Sequence, residues 1–188
     1  KKEDRYFNMK QYNVGNETIY KVKYDFSRLN LFNQWYKIKY SFNEHPVPYN
    51  YLGPKVESTP DIKNSNFPIW KHYKEYLYNQ VVQLFNSEFT LDRMWYNEYP
   101  YKSYINLHSH PKDHVVSVGY IQVDESDKSS SLVIQNKNDK SLHDIPVSNG
   151  EILIFNGSVM HKTNPNMSKV VRKIVGLNYQ KKTKNTLV

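Results

Sequence analysis

The chain has 188 residues, of which 38% are hydrophobic and 15% aromatic, and this composition indicates a globular domain with a sizeable core rather than a disordered chain. The net charge of +8 at pH 7 would favour polyanionic partners if it were concentrated on one face, but apart from the two ends the basic residues are dispersed. The absence of cysteine excludes disulfides, thiolate metal sites and thiol nucleophiles, which leaves His, Asp and Glu as metal ligands.

The organisation of the chain suggests one domain without a membrane span. We expect an N-terminal layer over residues 1–90, a core over 91–180 and a basic tail over 181–188. No apolar run approaches the roughly 18 residues of a transmembrane helix, and the start "KKEDRYFNMKQYN" lacks the apolar stretch of a secretory signal. The sequence therefore predicts a cytoplasmic protein.

The N-terminal layer mixes strand and helix patterns. "TIYKVKYDF" alternates with the period of a strand, and "SRLNLFNQWYKIKYSF" fits a short amphipathic helix with Ser27 as its N-cap. Residues 45–66 are rich in Pro, Gly, Asn and Ser and predict a long loop. Apolar residues then recur at helical spacing after Pro68, which predicts a helix over about 67–86.

The rest of the chain is a series of short β-rich runs separated by turn signals. This spacing predicts a closed or double-sheet β architecture with helices packed against it, a mainly β fold. The predicted strands are 89–99, 103–110, 114–123, 130–136, 141–147, 150–157 and 171–180.

The run "SYINLHSH" has an inverted polarity for a strand. Tyr104, Asn106, His108 and His110 would point to one face, opposite Ile105 and its apolar neighbours. A row of polar side chains is expensive to bury, so it should line water, a metal or a polar ligand. A solvent-exposed strand would satisfy the same pattern.

Two further residues point to chemistry near the C-terminus. His161 follows the apolar run "EILIF" and a turn, and Arg172 comes eleven residues later within the apolar run "VVRKIVGLNY". A guanidinium in such a strand requires a carboxylate or phosphate partner, for which its planar fork is suited. The partner could be an acidic residue of the chain or a carboxylate ligand beside a metal.

The order His-x-His, His and then Arg resembles the Fe(II)/2-oxoglutarate-dependent oxygenases. More narrowly, "HSHP", "SVGYIQV" and "GEILIFNGSVMHKTNPNMSKVVRKIVGLNY" resemble an oxygenase subgroup with a His-x-His-Pro motif, over about residues 95–180. The resemblance implies a double-stranded β-helix (jelly-roll, cupin-like) core, an Fe(II) cofactor, and 2-oxoglutarate and O₂ as cosubstrates. The implied activity is a dioxygenase, a hydroxylase that couples decarboxylation of 2-oxoglutarate to succinate with oxidation of a primary substrate.

The same resemblance implies roles for individual residues. His108 and His161 take the two histidine ligand positions, and Arg172 takes the distal carboxylate of 2-oxoglutarate. His110 falls where the wider superfamily has Asp or Glu, which leaves three alternatives: a three-histidine site, His108 and His161 with Asp113, or two histidines with water. Of these we expect the three-histidine site. Strand parity adds candidates for cosubstrate binding or ligand orientation, namely Tyr104 and Asn106 on the face of the histidines and Asn178 at the Arg172 end. On the next strand, Ser117 shares a face with Gly119, where small side chains leave room for a ligand.

Two other functions fit the same residues. One is a cupin-like metalloenzyme without 2-oxoglutarate, in which Arg172 forms a structural ion pair, and the other is a non-catalytic jelly-roll binding module. The primary substrate stays open among a peptidyl residue, a free amino acid, a nucleobase and a small metabolite. The positive charge slightly favours a protein or a nucleic acid.

Overall fold

The computed structural model describes residues 9–26, 53, 56–65 and 67–183, without the side chain of Ile69. The helix predicted over "SRLNLFNQWYKIKYSF" and most of the first half of the predicted 45–66 loop lie outside these residues. The elements in chain order are β1 (Lys10–Val14), β2 (Glu17–Lys23), β3 (Glu57–Ser58), α1 (Pro68–Phe85), β4 (Phe89–Tyr99), β5 (His114–Gln122), a 3₁₀ helix (Lys128–Ser130), β6 (Leu132–Gln135), β7 (Leu142–Ile145), β8 (Glu151–Asn156), β9 (His161–Thr163) and β10 (Arg172–Lys181).

Two antiparallel sheets form the core. Among the described residues, the larger sheet has seven strands in the order β1-β2-β8-β5-β10-β4-β3, and the smaller has three in the order β7-β6-β9. Strand β10 lies in the middle of the larger sheet, paired with β4 on one side and β5 on the other. This arrangement confirms the mainly β, jelly-roll prediction.

Helix α1 covers one face of the larger sheet. Pro68 occupies the first helical turn, where its missing N–H costs nothing, and Asn86 ends the helix in the left-handed conformation. Trp70, Tyr73 and Leu77 are buried against the sheet with Val175 and other inward residues. The helix predicted over about 67–86 is thus confirmed. No helix among the described residues is long and apolar enough to cross a membrane.

The opposite face of the larger sheet packs on the smaller sheet. Val116, Val118 and Tyr120 of β5 bury there with Leu132 and Ile134 of β6. Because β residues alternate between faces, neighbouring positions on the same strands point to the helix instead. The larger sheet is therefore buried on both faces. Only the face that packs on the smaller sheet is turned towards the candidate site.

One predicted strand is wrong. Residues 103–110 belong to an irregular connection between β4 and β5, which includes an isolated bridge between His108 and His161. The backbone N–H groups of this connection donate to separate partners, Ile105 to the Thr163 hydroxyl and His110 to the Gly157 carbonyl. Its polar groups are satisfied without a continuous ladder, so alternation alone does not produce a strand here.

Candidate metal centre

Three histidines from two segments converge at one point. His108 and His110 come from the connection before β5, and His161 begins β9. Each offers a ring nitrogen, and these three atoms lie within 4.8 Å of one another. The bridge between His108 and His161, with N–H to carbonyl distances of 3.0 and 2.9 Å in the two directions, holds the two segments together.

Hydrogen bonds show which ring nitrogen carries the proton in two of the histidines. Nδ1 of His108 lies 2.8 Å from the Asn106 carbonyl oxygen, and Nδ1 of His161 lies 2.9 Å from the Val159 carbonyl oxygen. A carbonyl oxygen only accepts, so both Nδ1 atoms carry the proton and the lone pair of each neutral ring lies on Nε2. In this tautomer an imidazole can bind a metal through Nε2.

The electrostatics keep all three rings neutral. Burial is the main cause that lowers the pKa of each, to about 3 for His110, where His108, His114 and Arg93 add to the effect. Metal ligands must be deprotonated, so these imidazoles are ready at neutral pH without losing a proton first. Three imidazoles with open coordination positions fit a divalent ion such as iron.

A pocket with apolar walls extends from the histidines between the two sheets. Its walls include two tyrosines and four aliphatic residues: Tyr99, Val116, Val118, Tyr120, Leu132 and Ile174. The Tyr120 hydroxyl is buried and has no hydrogen-bond partner within the described structure. A buried hydroxyl of this kind can bind a polar ligand that enters the pocket.

Arg172 lies beside these two tyrosines and is 1% exposed. Its guanidinium contacts the Tyr99 ring, at 5.7 Å from the centroid, and donates to the carbonyl oxygens of Ser129 at 2.8 Å and Asn164 at 3.4 Å. Burial lowers the pKa of Arg172, and Tyr120, Tyr99 and Asp127 oppose that shift.

Arg172 has spare capacity for an anion. Its Nε has no hydrogen-bond partner among the described residues, and none of the ion pairs that those residues form involves Arg172. The interpretation of Arg172 as half of an in-chain ion pair therefore finds no support in the described structure. A carboxylate ligand would supply the missing charge.

Asp113, the alternative third ligand, points elsewhere. Its carboxylate is 51% exposed, bonds to Nδ1 of His114 at 2.9 Å and accepts from Gln180 at 3.2 Å. It does not belong to the group of ligand atoms formed by the three histidines. The geometry thus favours His110 over Asp113 as the third donor.

The four subsidiary candidates do not gather at the pocket. Ser117 lies on the helix-facing side of β5 and donates to the Leu177 carbonyl, so the structure does not bring it to the pocket. Asn106 is exposed and contributes its backbone oxygen to His108, while the Tyr104 carbonyl accepts from the Gly53 N–H. Asn178 contacts His110 instead of the Arg172 end of β10.

Sequence reasoning missed Tyr99, Tyr120 and Trp95. Tyr99 and Trp95 pair across β4 and β10 with Arg172 and Gly176, so the register places them on the pocket face. The Trp95 ring lies nearly parallel to the His110 ring, at 6.3 Å between centroids. Tyr120 lies on the same face of β5 as Val116 and Val118. The alternation was visible in the sequence, but it did not show which face of the strand lines the pocket.

Comparisons with known proteins agree with this geometry. Residues 93–178 match the family described as "Putative 2OG-Fe(II) oxygenase". No protein of curated function matches the chain in sequence.

Solved structures share the fold at low sequence identity. HygX from Streptomyces hygroscopicus with nickel and 2-oxoglutarate bound is 13% identical over 86% of this chain and 82% of its own, with a TM-score of 0.67. A Pseudomonas putida prolyl-4-hydroxylase is 14% identical over 94% of both chains, with a TM-score of 0.59. A Trichoplax adhaerens prolyl hydroxylase in complex with a hypoxia inducible factor peptide fragment is 15% identical over 86% and 83%, with a TM-score of 0.62.

The family match spans the stretch that supplies the three histidines, the apolar pocket and Arg172, and the solved structures show the same fold. Residues 93–178 of this chain are therefore similar to the 2OG-Fe(II) oxygenase family, and the solved structures support the same fold.

Proposed function

We propose that this protein is a hydroxylase that binds Fe(II) through His108, His110 and His161 and holds the distal carboxylate of 2-oxoglutarate with Arg172. The observation that carries the proposal is a pocket lined by three neutral imidazoles, with the buried guanidinium of Arg172 packed on the lining residue Tyr99 and without a carboxylate partner among the described residues. Fe(II), when bound, would activate O₂ as the oxidant, with one oxygen atom used in the decarboxylation of 2-oxoglutarate to succinate and the other in the oxidation of a substrate C–H bond.

The residues of this chain provide position, charge and exclusion of water. The three imidazoles would hold the metal, and its remaining coordination positions would be available to the cosubstrate. Arg172 and the Tyr120 hydroxyl bind the far carboxylate with hydrogen bonds strengthened by burial. The apolar walls keep water away, and no side chain acts as a general base at the C–H.

The substrate class to test first is a peptidyl proline. Two of the fold relatives are prolyl hydroxylases, and one of them was solved with a peptide fragment. HygX, another fold relative, was solved with hygromycin B, so an aminoglycoside is the competing class. A cytoplasmic location stays a prediction.

Anaerobic titration tests the site before any substrate is known. Fe(II) followed by 2-oxoglutarate should give a weak visible metal-to-ligand charge-transfer band, and His161→Ala should abolish it. His143→Ala is the matched control, since His143 is exposed on β7 and bonds only to Ser141 among the described residues. Iron binding without the band would favour the cupin-like enzyme, and no iron binding would contradict the metal centre.

Arg172→Ala tests the cosubstrate assignment. A charge-assisted bidentate pair contributes about 1.5–3 kcal/mol, so the 2-oxoglutarate concentration needed for the band should rise roughly ten- to a hundredfold. Lys169→Ala removes an exposed charge near the same strand and should leave that concentration unchanged. Equal 2-oxoglutarate affinity in Arg172→Ala and the parent protein would refute the role of Arg172.

A further inference from the structure

Asn178 occupies the position beside His110 that backbone carbonyls occupy beside the other two histidines. Its side-chain nitrogen lies 3.1 Å from Nδ1 of His110, and the residue is 7% exposed. His108 and His161 each donate Nδ1–H to a carbonyl oxygen. His110 is thus the ligand whose tautomer depends on a side chain.

The two ends of the amide have opposite effects on His110. If Nδ2 donates to Nδ1, the ring proton must lie on Nε2, and Nε2 then has no lone pair for a metal. If the amide turns by half a rotation, Oδ1 accepts from Nδ1–H and Nε2 is free. The Oδ1 atom is buried and has no other partner in the described structure, so this turn breaks no existing Oδ1 hydrogen bond.

The local fold directs Asn178 at the ring. A register shift in the pairing of β10 with β4 falls between Asn178 and Tyr179, so the sheet is irregular immediately beside the site. Irregularities of this kind re-aim side chains near active sites. Gly176, two residues earlier on the same face, leaves room for Trp95, and the Trp95 ring stacks on the ring of His110.

We propose that Asn178 is a positioning residue that presents Oδ1 to Nδ1–H of His110 and so makes the third imidazole a metal ligand through Nε2. The inference rests on the proposed three-histidine centre. It explains how the chain can dispense with a carboxylate ligand. The carboxamide oxygen would accept a hydrogen bond from the imidazole and would not bind the metal itself.

The affinity test uses Ni²⁺ as a redox-inert probe with the full chain, measured by calorimetry. Asn178→Leu keeps the volume but removes the acceptor, and Ni²⁺ affinity should fall roughly ten- to a hundredfold. Asn178→Asp keeps an acceptor and should retain affinity within a few-fold. Asn149→Leu is the control, because Asn149 also bonds through its amide, to Val123 and Glu125 at the turn before β8.

Imidazole ¹H–¹⁵N spectra of the Zn²⁺-loaded protein give a readout that packing alone would not change. The parent protein and Asn178→Asp should show three hydrogen-bonded Nδ1–H signals from the bound histidines, and Asn178→Leu should lose the one from His110. Three signals in Asn178→Leu, or only two in the parent protein, would overturn the proposal, as would equal loss of affinity in the Leu and Asp variants. Failure of the parent protein to bind Ni²⁺ would refute the metal centre itself, while unchanged binding by Asn178→Leu would refute only the role of Asn178.

Discussion

Replacing Gly176 by alanine should displace a side chain that supports one of the proposed metal ligands. An added Cβ would lie 2.3 Å from Cε2 and 2.4 Å from Cζ2 of Trp95, whereas ordinary contact begins at 3.4 Å. The indole must therefore retreat by about 1.1 Å, the difference between 3.4 and 2.3 Å. Because the same indole stacks on His110, the displacement reaches a ligand.

The expected magnitude has two parts. Overpacking a buried site of this kind costs roughly 1–3 kcal/mol of unfolding free energy. A preorganised ligand tolerates displacements of only about 0.5 Å, so Ni²⁺ affinity should also fall by about tenfold or more. Urea unfolding of the metal-free protein and calorimetric Ni²⁺ titration separate the two effects.

Gly119→Ala is the matched control for this substitution. Its Cβ would lie 2.5 Å from the Tyr73 hydroxyl, on the face that packs against α1, so it should cost stability without changing Ni²⁺ affinity. Adding Trp95→Leu to Gly176→Ala should relieve the clash and cost less than the sum of the single changes. Equal Ni²⁺ affinity in Gly176→Ala and Gly119→Ala would refute the argument that Trp95 supports His110.

The remaining predictions concern the cosubstrate, the rejected ligand and pH. Tyr120→Phe removes a buried hydroxyl that would bond the cosubstrate, so 2-oxoglutarate affinity should fall about two- to tenfold in the anaerobic titration; an unchanged affinity would exclude that contact. Asp113→Asn should leave Ni²⁺ stoichiometry and affinity unchanged, and a loss of the ion would return Asp113 to the ligand set. Burial keeps the pKa of the three imidazoles below that of the unfolded chain, so the unfolded state takes up protons as pH falls below about 6.5. Unfolding free energy of the metal-free protein should therefore decline between about pH 6.5 and 5, by up to about 1.4 kcal/mol per pH unit for each imidazole, and urea midpoints that do not move would contradict the neutral cluster.

The elements that the sequence predicted well are those whose pattern is set by local burial. Helix α1 and strands β4, β5, β8 and β10 lie close to their predicted bounds, because their apolar periodicity matches the surfaces that they bury. The 103–110 connection has the composition of a strand but bonds to several different elements, which no local pattern reveals.

The face of a strand was harder to predict than its existence. On β5 the alternation separates Ser117 and Gly119 from Val116, Val118 and Tyr120, but the sheet is buried on both sides. The polarity of the residues then does not tell which face of β5 lines the site. The small side chains of Ser117 and Gly119 favoured the face that in fact packs against the helix. Similarly, the sequence placed Asn178 on the face of Arg172 without showing that the register brings it to His110.

The central position of β10 has a consequence for the geometry of the site. Arg172 and Asn178 stand six residues apart on one face of this strand, so the residue proposed to hold the cosubstrate and the residue proposed to position His110 belong to one backbone element. Inserting one residue between the two would turn one of them to the helix side, and inserting two would restore the face but move them about 6.6 Å further apart. The spacing along one strand thus couples the position of the guanidinium to that of the third imidazole.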